Sequence, residues 1–148
     1  MAEIIRIILA IVFGGAIGLE RQISGKAAGL RTNILICFGA AVFTIVSRRM
    51  AEGTSDSVTR IAAQIVTGIG FLGAGAIIRD RAGVHGMTSA ATIWLVASIG
   101  VACGAGLYEL AVLSTFLALV VLVGLKQIEQ KFFAGHQQDN QPMKEKKT

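Results

Sequence analysis

Charge is scarce in this sequence. Only 16% of its 148 residues are Asp, Glu, Lys or Arg, 53% are hydrophobic, and the mean hydropathy is +0.67. A soluble domain of this size needs a polar skin, so the shortage excludes an ordinary water-soluble fold and implies a membrane protein. Cysteine occurs twice, as Cys37 and Cys103, each inside an apolar run. Two thiols so far apart make no metal or redox spacing, and each reads as a small buried hydrophobe. Histidine also occurs twice, as His85 and His136, in expected aqueous segments with no neighbouring nucleophile or ligand partner, so neither an enzyme nor a metal or cofactor site is expected. No separate soluble catalytic domain fits beside four or five spans of ~20 residues each.

Acidic residues are missing from the middle of every apolar run. Each Asp or Glu, Glu109 included, lies in a loop, a tail or near a span end. An ion pathway usually shows facing intramembrane carboxylates, so the pattern favours a helical bundle that binds protein partners over a magnesium or other ion transporter or channel. A carbonyl-lined pore along the glycine-rich third run is the alternative, since glycine lets backbone approach an ion. The formal net charge is +5, but the 14 basic residues are scattered between apolar runs and not gathered on one face with aromatics, which argues against nucleic acid as a partner.

Five apolar runs are present. The first, Ile4 to Leu19, is broken only by Arg6 and reads as a short span and not a cleaved signal, because Glu20-Arg21 follows it where small residues would be expected. The second, Ile34 to Ser47, has only 14 residues, so it must thin the bilayer, begin earlier with Arg31 snorkelling, or be re-entrant. The third is Ile61 to Ile78, the fourth Met87 to Gly104, and the fifth Leu107 to Leu125, with a turn at Arg79 to Gly86. The expected fold is therefore an all-α integral membrane bundle of about five helices over residues 1–125. Residues 126–148 read as a polar, lysine-rich, frayed tail. With five spans, ten Lys and Arg fall on the side of the tail and four on the other. The positive-inside rule then puts the carboxyl terminus in the cytoplasm and the amino terminus outside.

Small residues dominate the helix faces. Gly14 with Gly18 and Gly100 with Gly104 have GxxxG spacing, and Gly70 with Ala74 has the looser small-xxx-small form. Without a hydrophobic drive between helices in lipid, close backbone approach is a main source of association, within one chain or between chains. Gly68, Gly70 and Gly73 also match the string G-x-G-x-x-G, but that fingerprint needs a strand before it and a helix after it, and here it lies inside an apolar run. Asp56, Arg60, Gln64 and Gly68 recur at steps of four, which gives a helix-end ion pair followed by an amide entering the membrane towards a partner. Glu20 and Arg21 end one run and Arg31, with Thr32 and Asn33, opens the next, so Glu20 and Arg31 could meet at the membrane face. Thr88, Ser89 and Thr92 with Trp94 open the fourth run, where the hydroxyls can bond to the helix backbone and Trp94 can pack.

The stretches GGAIGLERQ and AGLRTNILICFGA, TRIAAQIVTGIGFLGAGAII, VHGMTSAATIW and IGVACGAG, in that order, resemble the MgtC/SapB family of bacterial membrane proteins. The resemblance covers about Ile4 to Leu125. It implies a multi-pass protein of the inner membrane, tied to adaptation to low magnesium and acting as a regulator of membrane partners such as ATP synthase or a cation pump. Its motif positions fall here on Glu20, Arg21, Arg31, Thr32, Arg60, Gln64, Gly68, Gly70, Gly73, Gly75, Thr88 and Trp94. Longer members add a soluble carboxyl-terminal domain similar to ACT modules, and the 23 residues after Leu125 are too few for one. A homo-oligomer is a further expectation of the glycine faces.

Overall fold

The computed structural model describes residues 1–51, 55–81 and 83–133, with side chains for all of these except 55–62 and 129–133. The chain is an all-α bundle of α1 (Ala2–Ile23), α2 (Leu30–Met50), α3 (Ser55–Gly75), α4 (Met87–Ala105) and α5 (Tyr108–Phe133). Four helical segments, Ala2–Ile23, Leu30–Met50, Met87–Ala105 and Tyr108–Ile128, are long and apolar enough to cross a membrane. In α3 the described apolar stretch is the shorter Ala63–Gly75. Large hydrophobic side chains such as Ile4, Ile8, Leu113, Phe116 and Leu117 point outward, as a lipid-facing surface requires.

The second run is a full helix and not a re-entrant segment. It gains length at both ends, and its 21 residues rise about 31 Å, enough for a bilayer's hydrocarbon core. Asn33 makes the early start possible. It is fully buried, and its amide N–H groups donate to the carbonyls of Ala28 and Gly29, each at 2.8 Å. The loop before α2 is thereby tied to the first turn of the helix. Asn33→Ala should cost about 1–3 kcal/mol, the penalty for orphaning buried polar groups, read as a fall of several degrees in thermal unfolding in detergent.

Two helices press against α2 through glycine. A Cβ built on Gly14 of α1 would lie 2.7 Å from the Cys37 side chain, and one on Gly18 would lie 2.9 Å from the Leu30 backbone. From α4, a Cβ on Gly100 would lie 2.2 Å from the Cys37 carbonyl oxygen, and one on Gly104 would lie 2.6 Å from that of Ala41. Both GxxxG pairs therefore close contacts within this chain, with α2 held between α1 and α4. Cys37 and Cys103 are buried, free thiols in this core.

The turn between α3 and α4 is a small hairpin of β1 (Ile78–Asp80) and β2 (Gly83–His85), antiparallel with Arg79 opposite Val84. Asp80 Oδ1 accepts from the Gly83 N–H at 3.1 Å and lies 3.5 Å from His85. Gly86, with φ +88, then starts α4 at a point where a Cβ would meet the Ala76 carbonyl. At its far end α4 closes on Gly106, φ +82, with the Gly106 and Leu107 N–H groups bonded to the carbonyls of Cys103 and Ala102. The fifth helix continues past Leu125 to Phe133, so the expected tail opens on two further helical turns; residues 134–148 lie outside the described residues.

Candidate functional site

Charged side chains close the two ends of the bundle. At the amino-terminal end, Arg6 donates to the Gly104 carbonyl at 3.0 Å and Arg48 to that of Ala105. Two cations thus neutralise the negative end of the α4 dipole. Arg49, which is exposed, pairs with the half-buried Glu3 beside them. The Asp56 and Arg60 side chains lie outside the described residues, so the expected pair between them is not part of this description.

At the opposite end the expected meeting of Glu20 with Arg31 does not occur. Glu20 takes its neighbour Arg21, which is 3% exposed, and also accepts from Ser24 Oγ at 2.8 Å. The carboxylate is satisfied within its own helix end before Arg31 can reach it. Lys126 of α5 reaches Ser24 Oγ at 3.2 Å, which brings the last helix to the same end. Arg31 and Thr32 are left exposed, and Arg31 has no ion pair or hydrogen bond among the described residues.

The glycines of the third run behave unlike the GxxxG pairs. Gly73 is buried, and a Cβ built on it would be in ordinary contact with Ala90 of α4, 3.7 Å from its carbonyl oxygen. Gly68, Gly70 and Gly75 face open space, with nothing within 4 Å of an added Cβ. Ile65, Ile69, Gly73 and Ala76 form the inward stripe of α3, whereas Ala63, Thr67, Gly70 and Ala74 are all exposed. The spacing of these four residues puts them on the side turned away from α4. The glycine ladder therefore packs at one rung and is bare at three.

Between α2 and α3 runs an open groove of about 1280 Å³. Its walls carry Arg31, Thr32, Leu35, Gly39 and Phe43 from α2 and Gln64, Gly68, Phe71, Leu72 and Gly75 from α3. Three polar positions singled out from the sequence, Arg31, Thr32 and Gln64, are thus brought to one feature. Gln64 is exposed and has no hydrogen bond among the described residues. The fourth-run hydroxyls stay apart from the groove: Ser89 and Thr92 are buried, Thr92 donates to the Thr88 carbonyl at 2.8 Å, and Thr88 is exposed. Trp94 does not pack inside; it is 53% exposed on the outside of α4. No cluster of three His, Cys, Asp or Glu that could hold a metal occurs among the described residues.

Residues 7–131 match the model of the MgtC family. Among curated proteins, the chain is 48% identical over 121 residues to Protein MgtC of Brucella abortus (strain 2308), covering 82% of this chain and 50% of that one. It is 45% identical over 128 residues to Protein MgtC of Salmonella typhimurium, covering 86% and 54%. It is also 46% identical over 134 residues to YhiD of Escherichia coli (strain K12), named there as a candidate magnesium transporter, covering 84% and 61%. The chain thus spans between half and about three fifths of the length of these relatives. No solved structure matches it.

Proposed function

This chain belongs to the MgtC family, and from that premise we propose that it is a non-enzymatic regulator of magnesium homeostasis or membrane energetics, working in the bacterial inner membrane by docking onto the transmembrane helices of other proteins. The observation that carries this reading is the bare outward face of α3. Gly14, Gly18, Gly100 and Gly104 show what glycine does when helices meet in this fold, namely backbone contact at distances no side chain could share. Gly70 offers the same approach with nothing seated on it, flanked by Ala63, Thr67 and Ala74. In lipid such a surface gains little by facing acyl chains and much by facing another helix. Gln64 borders this face, and its amide finds a hydrogen-bond partner when a polar group of a second helix arrives.

In this reading residues 1–125 are the membrane domain, 126–148 the cytoplasmic tail, and the amino terminus is periplasmic, as the ten-to-four division of basic residues directs. ATP synthase or a cation pump is the kind of partner that the family resemblance suggests. The competing reading is carriage of magnesium, which the name of the Escherichia coli relative favours. Liposomes holding the purified chain and a magnesium-sensitive dye separate the two. The regulator reading predicts no flux above that of protein-free vesicles at high protein loading, and magnesium entry without any partner would make the chain a carrier.

A further inference from the structure

The groove between α2 and α3 has one charged end and an apolar length. Arg31 and Thr32 stand at one mouth, with Ala27, Ala28, Gly75 and Ala76 around them. Phe43 and Gln64 lie at the other end of the described lining. Twelve helical residues separate Arg31 from Phe43, a rise of about 18 Å. Half the hydrocarbon core of a bilayer is about 15 Å. On α2, where the residues after Phe43 are described and none of them lines the groove, it therefore runs from the headgroup level of one leaflet to the middle of the membrane.

That length decides the occupant. A spanning helix needs a trough through the whole core, about 30 Å deep, whereas a lipid of one leaflet needs half of it. The charge at the mouth decides the headgroup. Arg31 is exposed and unpaired among the described residues, because Glu20 is held by Arg21 and Ser24, and Asp80 by Gly83 and His85. Lys26, Arg79 and Arg81 are exposed at the same end and raise the positive field there. A guanidinium fork with a hydroxyl beside it is suited to phosphate oxygens, and basic pockets between membrane helices take anionic headgroups.

We propose that the α2–α3 groove is a binding site for an anionic glycerophospholipid, with its phosphate on Arg31 and Thr32 and an acyl chain lying along Leu35, Gly39, Gly68 and Leu72. The site lies on α3 beside the partner face and shares Ala74 with it, whereas Gly70 is not in the groove lining, so the groove is tested at Gly39 and Leu72 without touching Gly70. A lipid seated there props α3 against α2 and keeps Ala63, Thr67, Gly70 and Ala74 presented to the membrane.

The test places a fluorescent reporter in the groove. Leu72→Trp, in a Trp94→Phe background, is reconstituted as the full chain in vesicles of phosphatidylcholine and phosphatidylglycerol in which only one of the two lipids carries brominated acyl chains. Brominated phosphatidylglycerol should quench the reporter with about fivefold preference, the effect of one arginine on an anionic headgroup. Leu117→Trp, on the outward face of α5, should show no such preference. Arg31→Gln, a surface change that leaves the bundle intact, should bring the groove reporter down to the α5 value, and Arg31→Lys should keep most of the preference. Gly39→Leu, with nothing within 4 Å to clash, should fill the groove and weaken quenching by both lipids. Equal quenching in the parent, a preference that survives Arg31→Gln, or no quenching by either lipid because a protein segment fills the groove would each overturn the proposal.

Discussion

Gly100→Ala should strongly destabilise the folded bundle. The added methyl would sit 2.2 Å from the Cys37 carbonyl oxygen, 2.9 Å from Ala40 Cβ and 3.0 Å from the Cys37 carbonyl carbon. Two of these three neighbours are backbone atoms, so no rotamer change can relieve the overlap. Either α4 moves away from α2 or the helix distorts. Overpacking of a close-packed interior costs about 1–3 kcal/mol, and a clash with main chain belongs at or above the upper end of that range. Folded proteins hold only about 5–15 kcal/mol in reserve. Moving α4 also takes the Gly104 and Ala105 carbonyls away from Arg6 and Arg48, which leaves the partly buried Arg6 without its acceptor. Size-exclusion profile and thermal unfolding in detergent read the outcome: aggregation, or a melting temperature lowered by at least ten degrees. Gly124→Ala is the matched control. It is also helical, but it meets nothing within 4 Å and should melt with the parent.

The contrast between those two glycines shows where sequence reasoning reaches and where it stops. Apolar runs, the turn at Arg79 to Gly86 and the GxxxG pairs were all legible, because hydropathy and spacing are local properties of the chain. What each glycine touches is not local. Gly100 and Gly70 both sit in apolar helical stretches, yet one is jammed against α2 and the other bare, because α2 presents a surface to α4 and none to the outer side of α3. The length of α2 escaped a hydropathy count because Asn33, Arg48 and Arg49 are polar. Asn33 is nonetheless buried through its bonds to Ala28 and Gly29, and the two arginines turn to Glu3 and to the end of α4. Glu20 paired with its neighbour and not with Arg31, a choice between two cations that residue spacing alone does not make. The groove brings Arg31, Thr32 and Gln64 together from two helices, and nothing in their order along the chain marks it.

Gly70→Leu should do the reverse of Gly100→Ala, leaving the fold intact while removing the partner. Nothing lies within 4 Å of the position, so a leucine there extends into the space outside α3. A leucine is also a better helix former than glycine, by nearly 1 kcal/mol in water, so the monomer has no reason to lose stability. For a docked helix the same leucine is an obstacle, because it holds the two backbones apart and forfeits the close packing on which association in lipid depends. Losing only 1.4 kcal/mol of that contact weakens binding tenfold.

The decisive measurement is quantitative co-purification of membrane proteins from native membranes solubilised in mild detergent, comparing the parent, Gly70→Leu and Gly124→Leu at equal yield and equal melting temperature. If the bare face of α3 is where this protein meets its partners, a protein recovered in fixed proportion with the parent and with Gly124→Leu will fall at least tenfold with Gly70→Leu. If Gly70→Leu retains that protein in the parent's proportion, the docking face lies elsewhere and the account fails.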